Sequence, residues 1–466
     1  MFFQRIFTPG LAINSYLLGD EKTKKCAVVD PTRHVVPLIV QAQNAGFEIS
    51  YVIETHVHAD YVSGAKELKH QLNEQPLIYA SGMGGAQWIP RYTDVVVEKG
   101  TQIEFGDLRL EAVHAPGHTP EHIIWLCYDQ SRSVTTPWFV LTGDSLFVGS
   151  VGRPDLLGAK EMDILAPELY TTIFDVLGGL PDFVEIFPAH GQGSLCGKGL
   201  KSRGSSTIGY ERRFNPYFKH DSLEHWVNHL IEGLSAIPPY FPYLKKINVE
   251  GPPLLSTLKT HMWDQKNSPD IKELFLLDVR HQESFAFSYL PGSLNIPYSH
   301  SFTHWAGWMV PNQTPIGLIV ENSHLYSEVI DQLRLMGFDQ EIWVIELLQD
   351  GKNDFCTFSS FPFIQVEDVA HLSPDFNSLF LLDVRTPEEW CVEHIPGAHH
   401  IELNDLEHHL DQIPIDQTIA IVCRSGQRAS LAASLLLKHG FPLVNNIRGG
   451  IQMWKQAGLP LVSELK

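Results

Sequence analysis

No stretch of this 466-residue chain approaches the roughly 18 consecutive apolar residues that a membrane helix needs. Its start, MFFQRIFTPG, lacks the apolar core and cleavage site of a secretory signal. Cysteine is scarce: Cys26, Cys127, Cys196, Cys356, Cys391 and Cys423 are scattered, with no CxxC pair. That excludes a disulfide scaffold and fits the reducing cytoplasm, the expected location. Positive charge is also in short supply. Lys and Arg number 34 against 54 Asp and Glu, for a net charge of −20. So acidic a surface disfavours nucleic acid and anionic membranes as partners. With 44% hydrophobic and 19% charged residues, a largely disordered chain is excluded as well. Histidine, at 23, is in surplus and turns attention to metals.

At roughly 150 residues per domain, the length predicts about three domains. Two seams stand out. AIPPYFPYLKKINVEGPPLL, from Ala236 to Leu255, reads as a Pro-rich connector, and QDGKNDFCTFSSFP, from Gln349 to Pro362, is polar and irregular. They predict domains at 1–240, 256–350 and 363–466. The last two repeat each other. FLLDVR occurs at Phe275–Arg280 and at Phe380–Arg385, and PGSLNIP from Pro291 answers PGAHHIE from Pro396. A repeat this long is a duplicated domain, not a solenoid. In each copy short apolar runs alternate with helical patterns, which predicts βα units on a parallel sheet.

The first half is richer in short strands. Runs at Ser50–Glu54, Trp138–Thr142 and Val184–Phe187 each lead into a loop bearing His or Asp. Thr55-His56-Val57-His58-Ala59-Asp60-Tyr61 is followed by Pro116-Gly117-His118-Thr119, then Gly143-Asp144, then Ala189-His190-Gly191. Imidazole and carboxylate are ligands for divalent metals, and loops held by a rigid sheet are where such ligands are presented.

THVHAD, PGHTP, TGDSLFVG, GRPD and PAHG, in this order, resemble the metallo-β-lactamase superfamily over about residues 1–240. The resemblance implies an αββα sandwich with the metal between the sheets. Binuclear members have HxHxDH, whereas Tyr61 stands at the last position here, which speaks against a second metal. The pattern is closer to the persulfide dioxygenase branch, and that branch implies one Fe(II) per chain, held by His56, His118 and Asp144, with zinc able to take its place. Such a face leaves positions open for thiol persulfide and O₂. His58, Asp60, Tyr61 and His190 are expected around the ligands, orienting them or the substrate. His114 and His122 are expected not to bind metal. GSVGRPD and GSLCGKGLKSRGSSTIGYERRFNP resemble stretches of the dioxygenases that are fused to rhodanese modules. Lys198, Lys201, Arg203, Arg212 and Arg213 form a basic island there; with Arg153 and Tyr210 they are the candidate contacts for a carboxylate-bearing thiol such as glutathione, or else an ordinary solvated face. Cys196 is expected to be a packed thiol.

In the last module Cys423 closes the apolar run IAIVC, and RSGQR leads into a helix over Ala429–His439. A cysteine there meets backbone N–H groups, the positive end of a helix dipole, Arg424 and Arg428, a setting that stabilises anionic sulfur. LLDVRTPEEW, HIPGAHHI, CRSGQRAS and NIRGGIQMW resemble a rhodanese domain. The resemblance implies that Cys423 carries a persulfide and that Asp383 and Arg385 are structural. A phosphatase loop of this fold has five residues between Cys and Arg; here four separate Cys423 from Arg428. In the middle copy, GLIVENSHLYSEV puts Glu321 at the place of Cys423, so that copy is expected to be inactive.

Together the resemblances imply a two-site enzyme of sulfide detoxification. It would oxidise a low-molecular-weight thiol persulfide with O₂ to sulfite, and interconvert sulfite and thiosulfate through Cys423. Fused enzymes of this type are often homo-oligomers. Two readings compete. One is a thioester hydrolase of the glyoxalase II type, which needs a bridged binuclear site. The other is a sulfur carrier or sensor with a vestigial metal site.

Overall fold

The computed structural model describes residues 1–219, 222–321, 325–347, 357–372 and 379–464. Cys356, residues 349–356 of the second expected seam, and Asn322–His324 of the middle copy lie outside them. The chain divides into two compact units, 1–258 with 331–339, and 259–330 with 340–466. No helix among the described residues is long and apolar enough to cross a membrane.

The first unit is built on two six-stranded sheets. One runs in chain order through β1 (Phe2–Thr8), β2 (Ile13–Gly19), β3 (Lys25–Val29), β4 (Glu48–Ile53), β5 (Leu77–Ser81) and β6 (Val95–Val97). The other contains β7 (Gln102–Phe105), β8 (Leu108–His114), β9 (Ile123–Asp129), β10 (Phe139–Gly143), β13 (Glu185–Pro188) and β14 (Ser206–Thr207), ordered β14-β13-β10-β9-β8-β7. A two-stranded ribbon, β11 (Leu146–Phe147) and β12 (Ser150–Val151), follows β10. Residue pattern explains the layering. In β8 Leu108, Leu110 and Ala112 are buried while Arg109 and Glu111 are half-buried, the period of two of a strand with one inner face.

Tyr16, Leu18, Val29 and Ile53 of the first sheet share one core with Leu110, Trp125, Phe139 and Leu141 of the second, so the sheets pack face to face. The outer face of the first sheet (Leu17, Val28, Val52) is covered by Leu38 and Ala42 of the helix Val36–Asn44 and by Leu68 of Ala65–Gln71. The outer face of the second (Ile124, Val140, Ile186) is covered by Leu169 of Ala159–Thr171 and by Trp226 and Leu230 of Leu223–Ile231. This is the expected αββα sandwich.

The stretch 236–255 is not a simple connector. Residues Phe241–Glu250 form a helix that buries Phe241, Leu244, Lys245 and Asn248. Pro242 sits in its first turn, where a missing N–H costs nothing, and Gly251 at φ 95° ends it. Of the prolines that suggested a connector, Pro242 instead marks a helix start.

In the second unit two five-stranded parallel sheets share one topology. β15 (Thr260–Met262), β16 (Phe275–Asp278), β17 (Leu294–Asn295), β18 (Ile316–Val320) and β19 (Ile342–Glu346) are ordered β15-β19-β18-β16-β17. β20 (Phe363–Ile364), β21 (Leu379–Asp383), β22 (His399–His400), β23 (Thr418–Val422) and β24 (Val444–Ile447) are ordered β20-β24-β23-β21-β22. In both copies Arg forks onto Asp two residues earlier: Arg280 on Asp278 and Arg385 on Asp383, each with Nη2–Oδ2 at 2.6 Å. The copies meet at the helix Gln427–Lys438. Ser430 donates to Asn295 Oδ1 at 2.6 Å, and the Asn295 N–H donates to Ser434 Oγ at 3.0 Å.

Candidate metal centre and cysteine loop

Loops leaving β4, β8 and β10 bring His56, His118 and Asp144 together, with one donor atom of each within 4.8 Å of the others. All three side chains are buried. Asp144 Oδ2 lies 3.8 Å from His56 Nε2 and 3.5 Å from His118 Nε2, and none of these three atoms has a hydrogen-bond partner among the described residues. Buried polar atoms without partners are costly, and three that converge with the right chemistry are what a divalent metal would satisfy.

The remaining nitrogens explain why both Nε2 atoms carry lone pairs. His118 Nδ1–H donates to the Arg153 carbonyl at 3.0 Å. His56 Nδ1–H lies 2.9 Å from the Thr55 hydroxyl, which itself donates to Asp30 Oδ2 at 2.8 Å. Such outer partners fix the tautomer and ring orientation of a metal-binding imidazole. Burial, and then neighbouring imidazoles, holds His56 and His118 well below the usual histidine range, so both stay neutral. Asp144 is set by its own loop: its N–H donates to His122 Nε2 at 2.9 Å, and His122 Nδ1 lies 3.0 Å from Ser145 Oγ. His114 Nε2 lies 2.8 Å from the Pro120 carbonyl. Both flanking histidines are therefore occupied elsewhere.

The residues expected around the ligands are also placed. His190 lies between two carboxylates, with Nδ1 2.7 Å from Asp144 Oδ1 and Nε2 2.8 Å from Asp60 Oδ2. Burial opposes its charge, but Asp144 and Asp60 override that and raise it well above its ordinary value. His58 Nε2 faces Asp30 Oδ1 at 3.2 Å and Glu54 Oε2 at 3.4 Å, while its Nδ1 has no partner. Burial again works against the cation; Asp30 and Glu54 prevail and push His58 up to about 10. Tyr61 is buried against the His58 ring, 4.4 Å between centroids, with its hydroxyl 3.5 Å from the Asp30 carbonyl. Burial and then Asp30 and Glu54 drive its phenol well above 10, so it stays neutral. Cys196 is buried with Phe147 and Leu200, and groups with Asp60 and His190. Burial, and then Asp60, pushes its thiol well up.

Several participants carried no obvious signal. Asp30 closes β3 as Asp144 follows β10, and that shared strand-end position was the available clue. Asn248, on the helix that had read as a connector, donates to the His58 and Tyr61 carbonyls at 2.8 Å each. One turn earlier on the same helix, Lys245 is buried and its ammonium has no hydrogen-bond partner among the described residues. Burial lowers Lys245 to about 8, against the attraction of Glu121.

The basic island does not gather around the metal ligands. Arg153 is buried and forks onto Asp155 at 2.7 Å through two nitrogens, while also donating to the Ser235 carbonyl. Arg212 pairs with Asp182, and Lys198 donates to the Glu232 carbonyl at 2.6 Å. Lys201, Arg203 and Tyr210 are exposed, Tyr210 against Phe214. Arg213 lies over Phe214.

In the second unit Cys423 follows β23 and is buried. Its sulfur accepts from the N–H groups of Gly426 at 3.1 Å and Ala429 at 3.4 Å, the start of the helix Gln427–Lys438. Gly426 adopts φ 106°, which turns its N–H into the loop at no steric cost. The Cys423 and Arg424 carbonyls accept from Ile451 and Gln452. Gly450 makes this approach possible: a Cβ there would stand 2.2 Å from the Cys423 oxygen. The Arg424 side chain is exposed. Arg428 forks onto Glu389 at 2.5 and 2.8 Å, and its charge still reaches Cys423. Glu389 is the third residue of a capping box with Thr386, a role within TPEE that was readable, though its pairing with Arg428 was not. The middle copy presents an exposed Glu321 after β18. Burial, and then the charge of Arg428, holds His304 down at about 4.

Residues 8–190 match the metallo-beta-lactamase superfamily, and residues 366–457 match the rhodanese-like domain. A crystal structure of a metallo-beta-lactamase from Staphylococcus aureus is 31% identical, with a TM-score of 0.66 over 74% of this chain and 98% of that one. The human mitochondrial persulfide dioxygenase ETHE1 is 29% identical over 217 residues, 46% of this chain and 75% of that protein. The probable hydroxyacylglutathione hydrolase glo2 of Schizosaccharomyces pombe is 26% identical over 226 residues, 44% of this chain and 81% of that protein. With its αββα sandwich, its His–His–Asp cluster and this likeness, the chain belongs to the metallo-β-lactamase superfamily, in a form that also carries a rhodanese-like domain.

Proposed function

We propose that the chain oxidises a low-molecular-weight thiol persulfide with O₂ at one iron held by His56, His118 and Asp144, and transfers sulfane sulfur through Cys423. The observation that carries the first half is the set of three unpartnered atoms on three buried ligands beside a neutral Tyr61 and a His190 clamped by Asp60 and Asp144. A neutral Tyr61, where binuclear members have the last histidine of HxHxDH, favours the dioxygenase over a binuclear thioester hydrolase. Bound iron would supply a site where persulfide and O₂ meet and exchange electrons. The balance is simple: persulfide, O₂ and water give thiol, sulfite and two protons, the outer sulfur losing four electrons that O₂ accepts.

The chain's own groups do the positioning. Thr55 and the Arg153 carbonyl hold the imidazoles, His122 holds the Asp144 loop, and the His190–Asp60 pair sits where a proton is taken up or released. At the second site the Cys423 persulfide passes its outer sulfur to sulfite. The new S–S bond forms thiosulfate as the old one breaks, and the leaving Cys423 sulfur is received by the Gly426 and Ala429 N–H groups. The test is oxygen uptake by iron-loaded protein given glutathione persulfide, with sulfite and thiosulfate measured together. Uptake with sulfite, shifting to thiosulfate only when Cys423 is intact, is expected. No uptake by protein holding one iron per chain would overturn the reading.

A further inference from the structure

A groove of about 560 Å³ in the first unit is lined by none of the metal-ligand candidates. Trp88, Ile89 and Leu157 give it an apolar lining, and its cations are Arg91, Lys245 and Lys246 against one acid, Glu250. In a chain of net charge −20, a concavity with three cations and one carboxylate is selective for anions. Its volume falls in the range of roughly 300–1,000 Å³ typical of small-molecule sites.

Two features tie the groove to the metal centre. Lys245 and Asn248 lie one turn apart on the same buried face of the helix Phe241–Glu250. Asn248 holds the carbonyls of His58 and Tyr61, so the helix that lines the groove also braces the ligand loop. The charge of Lys245 also acts on His118 and is felt by Cys196. The residue is 7% exposed, the ring of Trp88 is 5.9 Å from Nζ, and the ammonium has no hydrogen-bond partner among the described residues. An ammonium kept from water without a partner is expensive, and a bound anion is the natural remedy.

We infer that this groove, and not the basic island, binds the thiol carrier of the persulfide, a peptide-sized molecule bearing carboxylates. Lys245 receives the carboxylate nearest the sulfur, and Arg91 and Lys246 receive the outer one. The inference rests on the persulfide reading for its substrate class but is tested apart from turnover.

The experiment is calorimetric titration of the metal-loaded full-length chain with glutathione and with glutathione diethyl ester. The diacid should bind at least tenfold more tightly than the diester. Lys245→Met, and separately Arg91→Ala with Lys246→Ala, should bring the two within about threefold. Arg91 and Lys246 are exposed, so the double variant keeps its fold, and Lys245→Met should melt no lower than the wild type because it removes an unpartnered buried charge. Equal binding of acid and ester by the wild type, or a preference that survives both variants, overturns the groove assignment. Oxygen uptake on glutathione persulfide without any acid preference would leave the dioxygenase standing and remove the groove. Lys245-dependent glutathione binding without oxygen uptake would do the reverse.

Discussion

Replacing Gly450 by alanine tests whether the Cys423 loop is held from below. At φ 58° an alanine pays about 1–2 kcal/mol for the left-handed conformation alone. Its Cβ would then lie 2.2 Å from the Cys423 oxygen and 2.9 Å from the Arg424 carbonyl carbon and oxygen, where ordinary contact begins at 3.4 Å. All three neighbours are backbone, so the loop must move by more than 1 Å to clear the overlap (3.4 − 2.2 = 1.2 Å). That displacement breaks the bond from the Ile451 N–H to the Cys423 carbonyl, now 2.8 Å, and carries the sulfur away from the Gly426 and Ala429 N–H groups. A shift of about 1 Å at a reacting group costs on the order of 100-fold in rate. The assay is sulfur transfer from thiosulfate to cyanide by the full-length variant, with oxygen uptake on persulfide as an internal control. Transfer should fall by about two orders of magnitude while uptake holds. A Gly450→Ala protein that transfers sulfur within threefold of wild type would refute the reasoning.

His118→Ala should empty the metal site and abolish oxygen uptake while sulfur transfer persists; iron content per chain and both rates check it. Cys423→Ser should do the opposite, leaving oxygen uptake and turning the product from thiosulfate to sulfite, read by ion chromatography. Lys245→Met should change how stability depends on pH. The folded lysine sits at about 8 and the unfolded one at 10.5, so between these values the unfolded chain holds more protons and wild-type stability climbs. The variant should be more stable than wild type by roughly 3 kcal/mol below pH 8, with the gap closing towards pH 10.5 in urea titrations. A gap that does not vary with pH would show that Lys245 is not the titrating group. Glu389→Gln should release Arg428, costing about 1 kcal/mol of stability at this half-buried pair and slowing transfer, seen in urea midpoints and rates.

The strand-end loops made most of the metal cluster legible. His56, His118, Asp144 and His190 each follow an apolar strand, so their spacing survives in the linear text even though they are far apart in it. The duplication was legible because FLLDVR and PGSLNIP repeat at one offset, and the two sheets share one strand order. What stayed hidden depended on partners distant in sequence. Asp30 holds His58 across 28 residues, and Glu389 forks Arg428 across 39; nothing local announces such pairs. Charge density misled at the basic island. Lys198 and Arg212 lie near each other in sequence, yet Lys198 is tied to the Glu232 carbonyl and Arg212 to Asp182. Proline misled at 238–242, because its effect depends on whether it stands in the first turn of a helix or in the middle of one.

The seam between the two copies carries an evolutionary consequence. Asn295 of the copy without cysteine accepts from Ser430 and donates to Ser434, on the same helix whose first N–H groups reach Cys423. Those serines, with Ala429 and Ala433, are small and buried. Removing the copy that carries Asn295 would therefore uncover a narrow stripe and take the acceptor from the Ser430 hydroxyl, while Ser434 keeps its bond to the Leu431 carbonyl at 2.8 Å. The copy that has Glu321 where the other has Cys423 thus also sets the packing of the helix whose first N–H groups reach Cys423. Substitution at Asn295 in one copy therefore constrains Ser430 and Ser434 in the other, and the reverse.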